Sequence, residues 1–215
     1  MNAAERLIRA ARALFERGLL VGIDGNLSLR LPTGDILSTP SGRVKGWIGP
    51  DDLLRVDLEG RVLAGPPDAR PSSELAMHLA VYEARPSVNA VVHAHPPSVV
   101  ACSLLGLPLL ADALPEAVLI TGRPVLLPYA TPGSPEGALV LAPLVHDGDC
   151  FVLERHGSLA VADDLDLAFA RTESLEQLAR LSLLAWQLRS GRVEGLELAP
   201  EQLVALDGVR RRMGW

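Results

Sequence analysis

The sequence predicts an α/β domain in which a mostly antiparallel or mixed sheet is covered by helices. Two observations indicate this fold class. Runs with helical spacing of apolar residues alternate irregularly with short strand-like runs, and several neighbouring short runs are joined by tight turns, as in hairpins. The length of 215 residues, with 48% hydrophobic and 21% charged residues, is typical of one globular domain, so we expect a single domain over residues 1–215.

The chain is predicted to begin with a helix and to continue with two hairpins. Apolar residues between Leu7 and Phe15 follow helical spacing, and Gly18 is a typical residue just past a helix end, which predicts a helix over residues 3–17. Alternating patterns around turn residues predict the hairpins. Their strands are residues 25–30 with 35–38, and residues 53–57 with 61–63.

A second helix is predicted after a proline-rich loop. Ser72 or Ser73 is a suitable N-cap, because a serine hydroxyl can accept a hydrogen bond from a free N–H group of the first turn. Glu74 would then lie in that first turn, where the helix dipole favours a carboxylate. The helix is predicted to continue to about Ala84.

The second half of the chain is predicted to alternate strands and helices. The segment 89–95, NAVVHAH, has the pattern of a strand, and residues 118–120 and 125–127 are short β candidates. The longest helical run covers residues 165–190, and Gly191 marks its end. The other predicted elements are helices at 97–105, 135–144 and 200–212 and strands at 150–153 and 159–161.

Composition argues against several classes of protein. The net charge of −6 disfavours nucleic acid as a main partner, because binding a phosphate backbone requires a basic surface. No stretch approaches about 20 uncharged apolar residues, so no membrane span is expected. Two cysteines do not form a disulfide framework, and the first residues are too charged for a signal peptide. We therefore expect a cytoplasmic protein.

Histidines supply the first candidate site. In a strand, alternate side chains share a face, so His93 and His95 are predicted to point the same way. A third imidazole, such as that of His156, would complete a three-nitrogen set that suits Zn²⁺ with one position left open. Spacing alone does not connect His156 to the pair, and an ordinary hydrogen-bonded histidine remains the alternative at each position.

Six motifs resemble those of the class II aldolase/adducin family, whose best-studied enzymes are L-fuculose-phosphate aldolase and L-ribulose-5-phosphate 4-epimerase. They occur in the family's order and at similar intervals, and the resemblance covers about residues 5–190. The motifs are Gly25-Asn26-Leu27-Ser28, Thr39-Pro40-Ser41-Gly42, Ser72-Ser73-Glu74, His93-Ala94-His95, Pro128-Tyr129-Ala130 and His156-Gly157.

This resemblance implies a fold, a cofactor and roles for residues. It implies a three-layer α/β/α domain with a central, mainly antiparallel sheet, and a homotetramer with active sites at subunit interfaces. It implies that Zn²⁺ is held by His93, His95 and His156, and that Glu74 moves a proton beside the metal. The residues matching the family's substrate-phosphate positions are Asn26, Ser41, Gly42, Ser72 and Ser73.

The expected reaction is aldol cleavage of a ketose 1-phosphate to dihydroxyacetone phosphate and an aldehyde. The family's aldolases use a tyrosine as a second acid, but residues 109–117 contain none, and Glu116 is the candidate replacement. The family's epimerases have an aspartate at the Glu74 position, so an epimerase is disfavoured. The family's tetronate-phosphate decarboxylases tend to have a lysine where this chain has Ser73. A methylthioribulose-phosphate dehydratase remains an alternative, and a non-catalytic, adducin-type interaction module is a further, less favoured one.

Overall fold

An eight-stranded sheet forms the centre of the computed structural model, which describes all 215 residues. The strand order is β4-β3-β2-β1-β5-β8-β7-β6, and every neighbouring pair is antiparallel except the parallel pair of β6 and β7. The predicted, mainly antiparallel sheet is confirmed. The strands are β1 Asn26–Arg30, β2 Ile36–Ser38, β3 Leu54–Val56, β4 Val62–Ala64, β5 Ala90–Ala94, β6 Val125–Leu127, β7 Cys150–Leu153 and β8 Gly157–Ala162.

Seven α-helices accompany the sheet, with short 3₁₀ turns between some of them. None of these helices is both long and apolar enough to cross a membrane. The helices are α1 Ala3–Glu16, α2 Leu75–Ala84, α3 Pro97–Leu105, α4 Pro115–Ile120, α5 Glu136–Leu141, α6 Leu165–Leu188 and α7 Pro200–Met213.

Strand alternation places a hydrophobic core on each face of the sheet. In β5, Ala90, Val92 and Ala94 pack with α1 and the start of α6, whereas Val91 packs on the opposite face with α2 and the region of α5. A separate cluster joins α3, α4 and α6 to the α1 side of β7 and β8. Because a strand points successive side chains to opposite faces, both faces must be covered, which confirms the three-layer α/β/α arrangement.

One predicted strand is wrong. Residues 118–120 lie in α4, which begins at Pro115 and packs against α6 and α7. The apolar run Val118-Leu119-Ile120 favours a strand by composition, but packing between helices overrides so short a preference. A proline at the first helical position followed by Glu116 was the available sign of a helix.

Two smaller differences concern the candidate site. Helix α2 begins at Leu75, so Glu74 occupies the N-cap position and not the first turn. Strand β5 ends at Ala94, so His95 lies just past the strand. In both cases the chain leaves regular geometry at a functional side chain, which frees that side chain to turn toward the cluster described below.

A charged cluster attaches the C-terminal helix to the sheet. Asp149 accepts hydrogen bonds from Arg85, Arg171 and Arg210, at 2.5, 2.9 and 2.8 Å. Arg171 is almost fully buried in α6, and Arg210 comes from α7. One carboxylate therefore connects the start of β7 with the end of α2 and with two helices.

Candidate active site

Four side chains from distant parts of the sequence converge at one end of the sheet. The potential metal-binding atoms of Glu74, His93, His95 and His156 all lie within 4.8 Å of one another. The Glu74 carboxylate is 3.1 Å from Nε2 of His93 and 3.1 Å from Nε2 of His156. The three imidazole rings are mutually tilted, with centroids 4.8–4.9 Å apart. The structure thus places His156 beside His93 and His95, a proximity that their spacing in the sequence could not predict.

Each of these side chains is placed by the end of a regular element. His93 is buried on the α2 face of β5, and His95 follows where that strand ends. His156 lies in the tight turn between β7 and β8, where Arg155 adopts a positive φ of 60°. Glu74 occupies the N-cap position of α2, which packs on the same face. The cluster therefore forms where two strands, a turn and a helix start meet.

Hydrogen bonding orients His93 for metal binding. Its Nδ1 lies 2.9 Å from the carbonyl oxygen of Ser158, and a carbonyl only accepts, so Nδ1 carries the proton and Nε2 has a free lone pair. That Nε2 atom faces Nε2 of His95 at 3.0 Å. Both oxygens of the Glu74 carboxylate lie 3.1 Å from imidazole nitrogens, Oε1 from Nε2 of His156 and Oε2 from Nε2 of His93. Converging nitrogen lone pairs beside a carboxylate fit a divalent metal ion.

Electrostatics keep the cluster in the protonation states that a metal requires. Burial raises the pKa of the Glu74 carboxyl, but the neighbouring imidazoles of His156 and His93 outweigh burial and hold that pKa far below its usual range. Burial, together with the nearby His93 and His156, lowers the pKa of His95 to about 3. Glu74 is therefore ionised and His95 is neutral near pH 7, as metal ligands must be.

Three of the five residues matched to the phosphate site, Asn26, Ser72 and Ser73, lie beside Glu74. The side-chain amide of Asn26 donates to Ser72 Oγ at 3.0 Å and to the Glu74 carboxylate at 3.4 Å. Ser72 Oγ also accepts a hydrogen bond from the Glu74 N–H at 3.3 Å. Ser73 follows Ser72 and is exposed. Asn26, which is buried, and the start of α2 thus form one connected polar group.

The other two, Ser41 and Gly42, lie in an exposed turn beside the segment that leads to Ser72. A β-bridge pairs Pro40 with Pro71, and the Ser41 N–H donates to the Arg70 carbonyl at 2.8 Å. Gly42 has a φ of +69°, a conformation that favours glycine. The Ser41 amide is therefore already engaged, whereas its exposed hydroxyl is available.

The structure also adds a loop that sequence reasoning missed. Ala130, which ends the Pro128-Tyr129-Ala130 motif, lines a small pocket together with Glu74 and His156. Thr131, Gly133 and Ser134, which follow the motif, line the same pocket. Within this loop, Gly133 packs beside Ser73. The Thr131-Pro-Gly-Ser134 sequence is a recognisable turn, but its proximity to α2 depends on tertiary packing.

The candidate second acid lies elsewhere in the chain. Glu116 is exposed in the first turn of α4 and is not part of the four-residue cluster. Neither tyrosine belongs to the cluster: Tyr82 is buried against Ser28, and Tyr129 is exposed. A second acid at Glu116 stays a prediction.

Comparison with known proteins identifies the family. Residues 5–183 match the family described as Class II Aldolase and Adducin N-terminal domain, and the chain belongs to this family. The 3-oxo-tetronate 4-phosphate decarboxylase of Escherichia coli K12 is 38% identical over 181 residues, covering 82% of this chain and 84% of the relative. The L-fuculose phosphate aldolase of Methanococcus maripaludis C7 is 34% identical over 182 residues, covering 85% and 97%.

A solved structure agrees with these relatives. YgbL from Escherichia coli, described by the alternatives aldolase, epimerase and decarboxylase, superposes with a TM-score of 0.84 at 33% identity, covering 94% of this chain and 96% of YgbL. The predicted family and fold are confirmed, and so is the predicted class of enzyme, a metal-dependent lyase. The His/Glu cluster is compatible with the metal ion that this class requires.

Proposed function

We propose that this protein cleaves a ketose 1-phosphate into dihydroxyacetone phosphate and an aldehyde. The observation that carries the proposal is the position of the Glu74 carboxylate, which lies 3.1 Å from Nε2 of both His93 and His156. A carboxylate at the edge of a metal site can move a proton to or from a carbon atom beside a carbonyl group. An aldolase needs this combination, because its reaction passes through an enediolate.

The metal proposed for this site is Zn²⁺. Three imidazole nitrogens, from His93, His95 and His156, form a donor set that suits zinc and leaves a position open. When bound, the ion would act as a Lewis acid that stabilises negative charge developing on the carbonyl and hydroxyl oxygens of the substrate. The Ser158 carbonyl would hold the His93 ring in the required tautomer.

Other residues of the site would bind the substrate phosphate and transfer the proton. Ser72 and Ser73, with Asn26 and the turn of Ser41 and Gly42, would hold the substrate phosphate through hydroxyl and amide groups. A second acid–base group, for which Glu116 is the predicted candidate, would take the proton of the C4 hydroxyl while the C3–C4 bond breaks. The electron pair of that bond stays on C3, and C4 leaves as an aldehyde. Glu74, after taking up a proton from solvent, would donate it to C3, which completes dihydroxyacetone phosphate.

A second candidate, decarboxylation of a 3-oxo sugar acid phosphate, has support of its own. The decarboxylase relative is 38% identical to this chain, slightly more than the aldolase relative. Loss of CO₂ from C2 of a 3-oxo-tetronate 4-phosphate leaves an enediolate on C2 and C3, and protonation of C2 also gives dihydroxyacetone phosphate. This route needs no second acid, and Glu116 lies outside the cluster. The two candidates therefore share one product and one use of Glu74.

One experiment tests both candidates. The zinc-loaded protein is incubated with fuculose, ribulose and deoxyribulose 1-phosphates and with 3-oxo-tetronate 4-phosphate, and dihydroxyacetone phosphate is measured by a coupled reduction with NADH. Release from a ketose phosphate together with an aldehyde supports the aldolase. Release of dihydroxyacetone phosphate only from the sugar acid phosphate, together with CO₂, supports the decarboxylase. No release from any substrate contradicts the aldolase and the decarboxylase and would favour the dehydratase.

The oligomeric state and the location of the protein stay predictions. A homotetramer with active sites between subunits and a cytoplasmic location are expected from the family resemblance and from composition. Gel filtration with light scattering would test the assembly. A monomer with full activity would contradict the interface sites.

A further inference from the structure

Helix α2 and strand β1 are connected by a ladder of polar contacts that runs away from the candidate site. Asn26, Ser28 and Arg30 are alternate residues of β1, and their side chains lie on the α2 side of the sheet. Their partners are four positions apart along the helix segment. The corresponding contacts are Asn26 with Glu74, Ser28 with His78, and Arg30 with Tyr82.

The geometry explains why the rungs match. Two strand residues advance about 6.6–6.8 Å, and four helix residues advance about 6 Å. Residues two apart on β1 therefore stay level with residues four apart on α2 over three rungs. Such a match fixes the position of α2 along β1, and the first rung contains Glu74.

Ser28 forms the middle rung and contacts two residues of the helix. Its Oγ lies 2.7 Å from Nδ1 of His78 and 2.8 Å from the hydroxyl of Tyr82. All three side chains are almost completely buried. A serine hydroxyl has one hydrogen and two lone pairs, so it can donate to one neighbour and accept from the other at the same time.

The third rung strengthens the register. The Arg30 guanidinium donates to the Tyr82 carbonyl at 2.6 Å and lies 4.9 Å from the centre of the Tyr82 ring. Burial, with a contribution from His93, lowers the pKa of His78 to about 3, so His78 is neutral and its bond to Ser28 does not depend on a charge. A slide of α2 by one turn would leave buried polar groups without partners, which is costly in an apolar interior.

We propose that Ser28 is a positioning residue for Glu74: by joining His78 and Tyr82 it holds α2 in the register that places the Glu74 carboxylate between His93 and His156. The register of the sheet supports this connection between Ser28 and the candidate site. Between β1 and β5, Asn26 pairs with His93 and Ser28 pairs with Val91. This inference rests on the proposed function, in which Glu74 donates the proton. It assigns to a buried serine, outside the metal-binding cluster, control over the geometry of that cluster.

The test compares Ser28→Ala with Ser182→Ala. Ser182, in the second half of α6, is equally buried; its hydroxyl donates to the Leu178 carbonyl and accepts from the Leu110 N–H. Ser182→Ala therefore also deletes a buried, hydrogen-bonded hydroxyl. We expect Ser28→Ala to lower kcat about 10- to 100-fold with KM within about twofold, because a small misplacement of a catalytic group has such an effect. Ser182→Ala should leave kcat within about twofold.

A double variant separates positioning from general destabilisation. If Ser28 acts through Glu74, Ser28→Ala should reduce kcat no further when Glu74 is already Gln. Equal losses of kcat in both backgrounds would overturn the inference. If Ser28→Ala does not fold, Ser28→Cys, which keeps the volume and weakens both hydrogen bonds, takes its place with the same two outcomes.

A readout without turnover distinguishes this inference from the proposed function. The visible spectrum of the Co²⁺-loaded protein reports the ligand set, and we expect Ser28→Ala to shift it in the same direction as Glu74→Gln. A parent protein that binds Co²⁺ and turns over substrate, with a Ser28→Ala variant identical to it in spectrum and kcat, would overturn this inference alone. A parent that neither binds Co²⁺ nor releases dihydroxyacetone phosphate would overturn the proposed function and this inference together.

Discussion

Nε2 of His95 lies 3.0 Å from Nε2 of His93. His93 uses its Nδ1 proton on the Ser158 carbonyl, so its Nε2 presents a lone pair. Burial and the neighbouring imidazoles keep His95 neutral, with its pKa lowered to about 3. Ring nitrogens held this close, beside the ionised Glu74, form a site that a divalent cation would stabilise.

Replacement of His95 should remove the metal and leave the fold intact. His95→Ala deletes one of three nitrogen donors at the end of β5, whereas the core on both sides of that strand is unaffected. We expect loss of stoichiometric zinc by elemental analysis, loss of activity, and an unchanged far-UV circular dichroism spectrum. His146→Ala, at an exposed position, is the matched control. A His95→Ala protein that retained its zinc would contradict the three-histidine site.

Replacement of Glu74 should reduce turnover and not phosphate binding. Glu74→Gln keeps the shape of the side chain and removes proton transfer, which contributes about 10²–10⁴-fold to such reactions. We therefore expect kcat to fall by about that factor, while the affinity for a phosphorylated substrate analogue changes little. Glu83→Gln, an exposed change on the same helix, should have no effect. Near-normal turnover by Glu74→Gln would exclude Glu74 as the proton donor.

A methyl group at Gly157 should displace His95 and so disturb the candidate metal site. A Cβ atom built there would collide with the carbonyl oxygen of Ala94 and would lie 2.9 Å from Cδ2 of His95. We expect Gly157→Ala to weaken zinc binding about 10–100-fold, the range seen when groups that support a ligand are altered. Gly208→Ala in α7, where the nearest atom is 3.6 Å away, is the control. Competition with a chromophoric chelator measures both affinities, and equal values would refute the predicted clash.

Loss of Asp149 should destabilise the protein strongly at neutral pH. Asp149→Asn leaves three arginines around an uncharged group, and breaking a buried ion pair in this way costs about 3–5 kcal/mol. Asp166→Asn, which removes an exposed ion-pair partner of Arg9, should cost less than about 1 kcal/mol. Urea unfolding at pH 7 measures both changes. Equal, small losses would show that the arginine cluster contributes little.

The same variant has a defined pH dependence. Burial raises the pKa of Asp149, but Arg171, Arg85 and Arg210 outweigh burial, so the pKa in the folded protein lies below the unfolded value of about 3.9. A carboxylate with a lowered pKa adds stability that is fully present above the unfolded pKa and is lost as pH falls through the folded pKa. The difference between the parent and Asp149→Asn in free energy of unfolding should therefore be smaller at pH 3 than at pH 7.

Local patterns predicted most of the fold because each one has a local cause. The helical spacing from Leu7 to Phe15, the alternation in β1 and the long helical pattern of α6 all follow from which face must be buried. The strand expected at residues 118–120 was wrong because contacts with α6 and α7, distant in sequence, decide the conformation of so short a segment. Motif resemblance supplied the family, which the comparisons confirm.

By itself the sequence determined the class of sheet, most of its elements, the family and the residue types available for metal and proton chemistry. Those properties depend on short-range periodicity and on motifs of a few residues. Only the tertiary structure decided that His156 lies beside His93 and His95, that Glu74 occupies the N-cap position of α2 next to them, and that Ser28 connects that helix to β1 by hydrogen bonds. The reason is physical: which strand neighbours which, and which face a turn presents, is set by packing across the whole sheet and not by any local pattern.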